Sequence, residues 1–376
     1  HIRLGNYAGW YSVRDEAFYT ETEVIDGKAP TGAPVEWVEE PSYFFNLSQW
    51  QQPLLDYYEA NPDFVGPESR FNEVKSFVKG GLHDLSVSRA SFNWGIPVPG
   101  DPDHVMYVWL DALTNYITAS GWPTDYELGN PAKYESLWPA DLHMVGKDIL
   151  RFHAVYWPAF LMAADLPLPK RIFAHGWWTN EGEKISKSLG NVIDPNVLTA
   201  QYGLDQTRYF LMREVPFGND GDFSSTAMTH RMNGDLANDL GNLCQRVLSM
   251  IFKNCDCVMP ALPTKLLEAD QTLLSAADSL LDQVRDLLDR QAFNEALRVI
   301  WQVIADANRY VDSSAPWALK KTDPARMAEV LAVLAETIRQ IAILIQPVMP
   351  QSADIILDQL GVDSNKRGFS VIAGKG

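Results

Sequence analysis

The run Lys184-Ile185-Ser186-Lys187-Ser188 puts two ammonium groups and two hydroxyls into five consecutive residues. A lysine ammonium is a compact charge on a flexible stem and meets phosphate as a point charge. Lysines on a loop can close over a nucleotide and steady the negative charge that builds as pyrophosphate leaves. Taken alone, the run is more readily a solvated loop carrying two lysines. Its surroundings say more. Upstream, Arg171-Ile172-Phe173-Ala174-His175-Gly176-Trp177-Trp178 is apolar and β-prone, which predicts a strand. Asn180-Glu181-Gly182-Glu183 predicts a turn. The lysines therefore ride a loop that leaves a strand.

Two other stretches share this grammar. Residues 105–110 read as a buried strand, followed by a helix from Asp111, placed at the N-cap, through Tyr116. Residues 141–146 read as an apolar strand, and Asp148 opens a helix toward Tyr156-Trp157-Pro158. Side chains at the carboxyl ends of strands face the crevice where open α/β sheets bind ligands. Trp109, Tyr116 and His153 would sit near that crevice, although each also fits ordinary core packing. The sequence contains no Ser-His-Asp or Cys-His constellation and no Gly-x-x-x-x-Gly-Lys-Ser/Thr loop.

The elements that must hold these residues follow from composition and pattern. The 376 residues allow two or three domains, and 46% apolar content supports a sizeable core. No apolar run is long enough to span a membrane, and the first residues lack a signal-peptide pattern. Three cysteines, Cys244, Cys255 and Cys257, are too few for a disulfide framework and lack paired zinc spacing, which fits a reducing cytosol. The net charge of −17 argues against indiscriminate nucleic-acid binding. A folded RNA met by a local basic face and stacking remains compatible with it.

Residues 1–45 read as strands and turns: 35–45 as a strand, a turn and a second apolar run, with amphipathic helices at 46–60 and 69–80. Residues 196–214 read as one helix. From about 226 the pattern becomes long amphipathic helices, as in Leu273, Leu274, Ala277, Leu280, Leu281, Val284, Leu287 and Leu288. Prolines punctuate them, which predicts an all-α bundle. Within it, Asn238, Asn242 and Arg246 are spaced by four and share one helix face, and Trp317 follows Pro316. A solvated polar stripe and a core tryptophan are the plain alternatives.

The lysine run resembles the KMSKS signature of class I aminoacyl-tRNA synthetases, with Ile185 in the methionine place, His175-Gly176 upstream and Gly190-Asn191 downstream. The order of parts resembles the methionyl-tRNA synthetases over nearly the whole chain. That resemblance implies an α/β plus all-α protein: part of a Rossmann-like catalytic domain with a connective-peptide insertion, then an α-helical anticodon-binding bundle. The implied segments are a connective peptide at 1–88, the second half of the catalytic fold at 89–183, a lysine-loop and stem-contact domain at 184–225, and the anticodon-binding domain at 226–376. His1-Ile2-Arg3-Leu4 only faintly echoes the HIGH motif of the class. The first half of the nucleotide-binding fold is expected to lie outside this chain.

By the same resemblance, Trp109, Ala112, Leu113, Tyr116, Ile149, Phe152 and His153 build a methionine side-chain pocket. Leu113 stands where the family often has proline. An aromatic lining suits a thioether, which is soft and polarisable. Arg89, Asp148, His175, Gly176, Trp178, Lys184, Ser186 and Lys187 fall on ATP-side positions, with Lys184 and Lys187 as the catalytic pair. Asn238, Asn242, Arg246 and Trp317 fall on anticodon-reading positions. The substrates implied are methionine, ATP with Mg2+ and tRNA(Met), in a cytoplasmic monomer. Zinc knuckles occur in the connective peptide of several members, but residues 1–88 contain no cysteine, so no structural zinc and no protein metal site are expected. The rival readings are another class I synthetase, such as the leucine or cysteine enzyme, and a non-catalytic tRNA-binding protein derived from such an enzyme.

Overall fold

The computed structural model describes residues 1–373 apart from 16, 20, 92, 126, 128 and 186–189. The chain forms two compact units, 1–175 and 176–376.

Among the described residues, the first unit holds three sheets. A long antiparallel ribbon pairs Ile2–Ser12 with Glu36–Phe45, from Ile2 opposite Phe45 to Tyr11 opposite Glu36. Ala17–Tyr19 and Leu85–Ser86 complete that sheet at its two edges. The Glu36–Phe45 strand runs unbroken through Pro41, where a turn is expected from sequence. Pro41 is tolerated because, among the described residues, the strand's far edge is bonded only from Tyr43 onward. A parallel sheet carries Val65–Gly66, Ile172–His175 and His143–Gly146 in that order. Ser88–Arg89, Asp101–Met106 and Pro97–Val98 form the third.

One apolar cluster joins residues from Tyr43 onward to the α/β portion of the unit. The helices Gln51–Ala60 and Glu68–Lys79 contribute Leu54, Tyr58, Phe71 and Val74 to the same cluster as Leu113, Leu150 and Trp157. The stretch 43–87 is thus packed into the α/β portion.

Two further details of this unit depart from the sequence reading. The strand expected at 105–110 ends at Met106, and the helix starts at Val108 with Tyr107 at its N-cap. Asp111 lies in the first turn, not at the cap. A short apolar run is ambiguous between buried strand and buried helix, and here tertiary packing chose the helix. The helix expected after Asp148 changes winding along its length: a 3-10 turn at Lys147–Ile149, a π turn at Phe152–Tyr156, then an α-helix at Trp157–Ala163. Pro158 has no N–H for the carbonyl four residues back, Ala154. The Tyr58 hydroxyl, 2.6 Å from that carbonyl oxygen, donates to it instead.

The second unit opens with a three-stranded sheet of Glu183–Lys184, Trp178–Asn180 and Gly221–Phe223. The helix expected at 196–214 is two, Pro195–Tyr202 and Leu204–Arg213, broken at Gly203 with φ +99°. A helical bundle follows. A continuous helical stretch, Ser225–Arg231, Met232–Gly241 and Asn242–Asn254, packs with Phe293–Ser314 and Pro324–Ile345 around a large apolar core. Met232–Gly241 is wound as a π-helix, a form associated with functional segments. Asp270 is buried in this unit and accepts from Arg326 at 2.5 and 2.8 Å and from the Tyr310 hydroxyl at 2.6 Å.

Candidate active site and nucleic-acid interface

In the first unit, the Val108–Ser120 helix and the winding segment after the His143–Gly146 strand meet through their rings. Trp109 stacks on Phe152 with centroids 3.7 Å apart and planes 9° from parallel. Tyr116 Oη lies 2.8 Å from His153 Nε2. His153 Nδ1 is 2.9 Å from the Ile149 carbonyl, which can only accept, so Nδ1 carries the proton and Nε2 accepts from the Tyr116 hydroxyl. Leu113 is buried below them, and Ile149 packs on the same core. Ala112 is on the same helix, half-buried, and is not among the residues packed on that core. Of the seven residues expected to line a methionine pocket, six thus share this cluster, counting Trp109, Leu113, Tyr116, Ile149, Phe152 and His153.

The sequence reading missed His143. It is buried at the start of the parallel strand, its ring 4.3 Å from that of Tyr116 and 6.1 Å from that of His153. Burial, with a smaller contribution from His153, pulls its pKa down to about 4. Burial also lowers that of His153, partly offset by the bond to Ile149. Both imidazoles are neutral at pH 7. The unfolded His143 binds a proton near pH 6.5 while the folded one waits until about 4. Stability is therefore complete above pH 6.5 and falls as acid is added through this window, by at most about 3 kcal/mol. Thermal unfolding at pH 7 and pH 5 should show a smaller acid shift for His143→Phe than for the wild type; parallel shifts would contradict this assignment.

Arg89 is buried at the end of the Ser88–Arg89 strand. Its Nη1 donates to Ser86 Oγ at 2.6 Å and to the Ser88 carbonyl at 2.8 Å, and its guanidinium lies 3.9 Å from the Tyr107 ring centroid. Asp148 follows Gly146, at the carboxyl end of the parallel strand, and a Cβ at Gly146 would press on its carboxylate. His175 ends the neighbouring strand.

In the second unit, Gly176 passes so close to the Asn219 carbonyl that a Cβ would collide with it. Trp178 begins the next strand and packs on Phe210. Lys184 pairs across from Thr179, with its ammonium 5.8 Å from the Trp177 ring centroid. Asn191 Nδ2 donates to the Lys184 carbonyl, and Asn180 Nδ2 donates to that of Asn191, each at 3.0 Å. These amides close the base of the lysine loop. Ser186 and Lys187 lie outside the described residues.

At the bundle, Trp317 sits in the first turn of Pro316–Thr322 and is 50% exposed. The Arg246 guanidinium lies 5.4 Å from its ring centroid and is paired with Asp312 at 2.6 Å. Asp312 carried no recognisable sequence signal. Asn238 and Asn242 are exposed on the same continuous helical stretch as Arg246. The bundle thus brings an exposed ring and a cation together.

Among the described residues, no group of three His, Cys, Asp or Glu side chains is placed to hold a metal ion. No helix among them is long and apolar enough to cross a membrane.

A parallel sheet with an aromatic cluster beyond its strand ends, a lysine loop on a strand hairpin and a helical bundle together make up the architecture of a class I aminoacyl-tRNA synthetase. Residues 17–248 match the family profile "tRNA synthetases class I (M)". Residues 262–371 match "Anticodon binding domain of methionyl tRNA ligase". The methionine–tRNA ligase of Brucella suis is 60% identical over 374 residues, covering 98% of this chain and 72% of that protein. That of Rickettsia conorii is 58% identical over 371 residues, with 98% and 72% covered. The solved structure of Mycobacterium tuberculosis methionyl-tRNA synthetase with methionyl-adenylate aligns with a TM-score of 0.91 and 55% identity, covering 99% of this chain and 74% of that one. The chain belongs to the methionyl-tRNA synthetase family.

Proposed function

We propose that this protein activates methionine with ATP, forming methionyl-adenylate and pyrophosphate, and transfers the methionyl group to tRNA(Met) in the cytoplasm. ATP acts as its magnesium complex, the metal arriving with the nucleotide. The observation that carries the amino-acid choice is the neutral Tyr116–His153 pair beside the Trp109–Phe152 stack. Rings and an uncharged hydrogen-bonded pair suit a thioether side chain and penalise a charged one. Trp109, Ala112, Leu113, Tyr116, Ile149, Phe152 and His153 are the proposed methionine-binding residues.

The reaction needs no protein nucleophile. The methionine carboxylate attacks the α-phosphorus, and the bond to the leaving pyrophosphate breaks. The chain's task is to orient the reactants and neutralise charge. Arg89, Asp148, His175, Gly176, Trp178, Lys184, Ser186 and Lys187 are the proposed ATP-side residues, with Lys184 and Lys187 countering charge on the phosphates. Asn238, Asn242, Arg246 and Trp317 are proposed to read the anticodon. The functional segments are proposed as 1–88 connective, 89–183 catalytic, 184–225 stem-contact and 226–376 anticodon-binding, in a monomer.

The test is ATP–pyrophosphate exchange by the intact protein with methionine, leucine or cysteine as the amino acid. Exchange should depend on methionine. Exchange driven as well by leucine or cysteine would point to another class I specificity. No exchange with any of them, alongside intact tRNA binding, would favour a non-catalytic tRNA-binding protein.

A further inference from the structure

We propose that Glu40 is a positioning residue for Arg89, an inference that rests on the reading of Arg89 as an ATP-side residue. Glu40 lies on the long ribbon strand Glu36–Phe45, only 8% exposed, and Arg89 is 7% exposed. The Glu40 carboxylate comes within 3.6 Å of Arg89 Nε, yet its Oε1 has no hydrogen bond. The buried pair in the second unit is built differently. Asp270 closes on Arg326 through two hydrogen bonds, at 2.5 and 2.8 Å, and takes a third from Tyr310. That is the geometry of a pair satisfied within the fold. A buried carboxylate oxygen 3.6 Å from a guanidinium nitrogen and without a hydrogen bond of its own calls for an explanation.

The rest of the cradle supplies the reason. Ser86 and Ser88 hold Arg89 Nη1, and Tyr107 covers a face of the guanidinium. Ser42 Oγ ties those anchors together, 2.6 Å from Ser86 Oγ and donating to the Ser88 carbonyl at 3.0 Å. Ser88 Oγ in turn accepts from the Tyr43 amide and meets His104 Nδ1. Two neutral acceptors fix the Nη1 edge of the guanidinium and one ring covers its face. Glu40 supplies an anionic restraint on the Nε side. A charge set slightly back orients the fork without locking it in a closed pair, so the cation stays able to meet an anionic reactant.

Steady-state exchange kinetics of the intact protein test this. Glu40→Gln, an isostere without the charge, should raise KM for ATP about tenfold while kcat changes much less, because misorientation costs binding geometry. Glu40→Asp, which restores the charge, should recover part of the loss and also serves if the glutamine variant folds poorly. Arg89→Gln should lose more, and Glu40→Gln combined with Arg89→Gln should be no worse than Arg89→Gln alone, since the carboxylate acts through the arginine. A fall in kcat at constant KM, or losses that multiply in the double variant, would overturn the proposal. If Arg89→Gln leaves exchange untouched, the reading of Arg89 itself fails, and the positioning role fails with it.

Discussion

Replacing Trp317 with alanine is expected to cripple charging of tRNA(Met) while leaving methionine-dependent pyrophosphate exchange intact. The ring is half exposed on a short helix whose cap, Ala315, adopts a left-handed conformation with φ +41°. Its removal therefore strips a surface platform rather than hollowing a core. Stacking of a base on an aromatic ring is worth roughly 1–3 kcal/mol, so kcat/KM for tRNA should fall about 5- to 150-fold. Arg246 keeps its partner Asp312 in the variant, which preserves the neighbouring helix contact. Aminoacylation and exchange measured on the same preparation give the answer. Equal losses in both would remove Trp317 from the anticodon site.

The second large effect is expected at the lysine loop. Lys187→Ala should lower kcat for exchange by about 10²–10³, the cost of deleting one charge-stabilising donor at a reacting centre. Methionine binding, followed by calorimetry without ATP, should hardly change. Lys187→Arg should recover only part of the rate, because a planar guanidinium does not replace a compact ammonium at a phosphate. Lys184→Ala should cost less. Lys184 is held by strand pairing opposite Thr179, with its ammonium near the Trp177 ring. Unchanged exchange in Lys187→Ala would refute the charge-neutralising role. So would a loss that appears entirely as weaker methionine binding.

Much of this architecture is legible in the sequence alone, and each exception has a physical cause. Periodicity announced the bundle because an apolar face repeats every three to four residues within a single helix. The strand before the lysine loop announced itself by β-prone residues bounded by a turn. Residues 105–110 misled because an apolar run of that length suits a buried strand and a buried helix alike. The helix expected at 196–214 broke at Gly203, where local preference for a positive φ outweighed continued periodicity. Pro41 looked like a turn because its tolerance depends on an unpaired strand edge, which is a property of the sheet. His143 went unnoticed as a site residue because a histidine in an apolar strand says nothing of which rings will surround it.

The chain's own letters were enough to establish which chemical groups are present and in what order: a two-lysine loop after a strand, aromatic residues after strand ends, then a helical bundle with an Asn/Arg stripe and a tryptophan. These signals are short-range, and their meaning survives without knowing the fold. The tertiary structure decided what only distant residues can decide together. It set the tautomer of His153 through Tyr116 and Ile149, the neutrality of His143 by burial, the rescue of the Ala154 carbonyl by Tyr58, and the open Glu40–Arg89 pair. Each of these depends on which groups lose water and which partner replaces it, and that exchange happens only when separated segments pack.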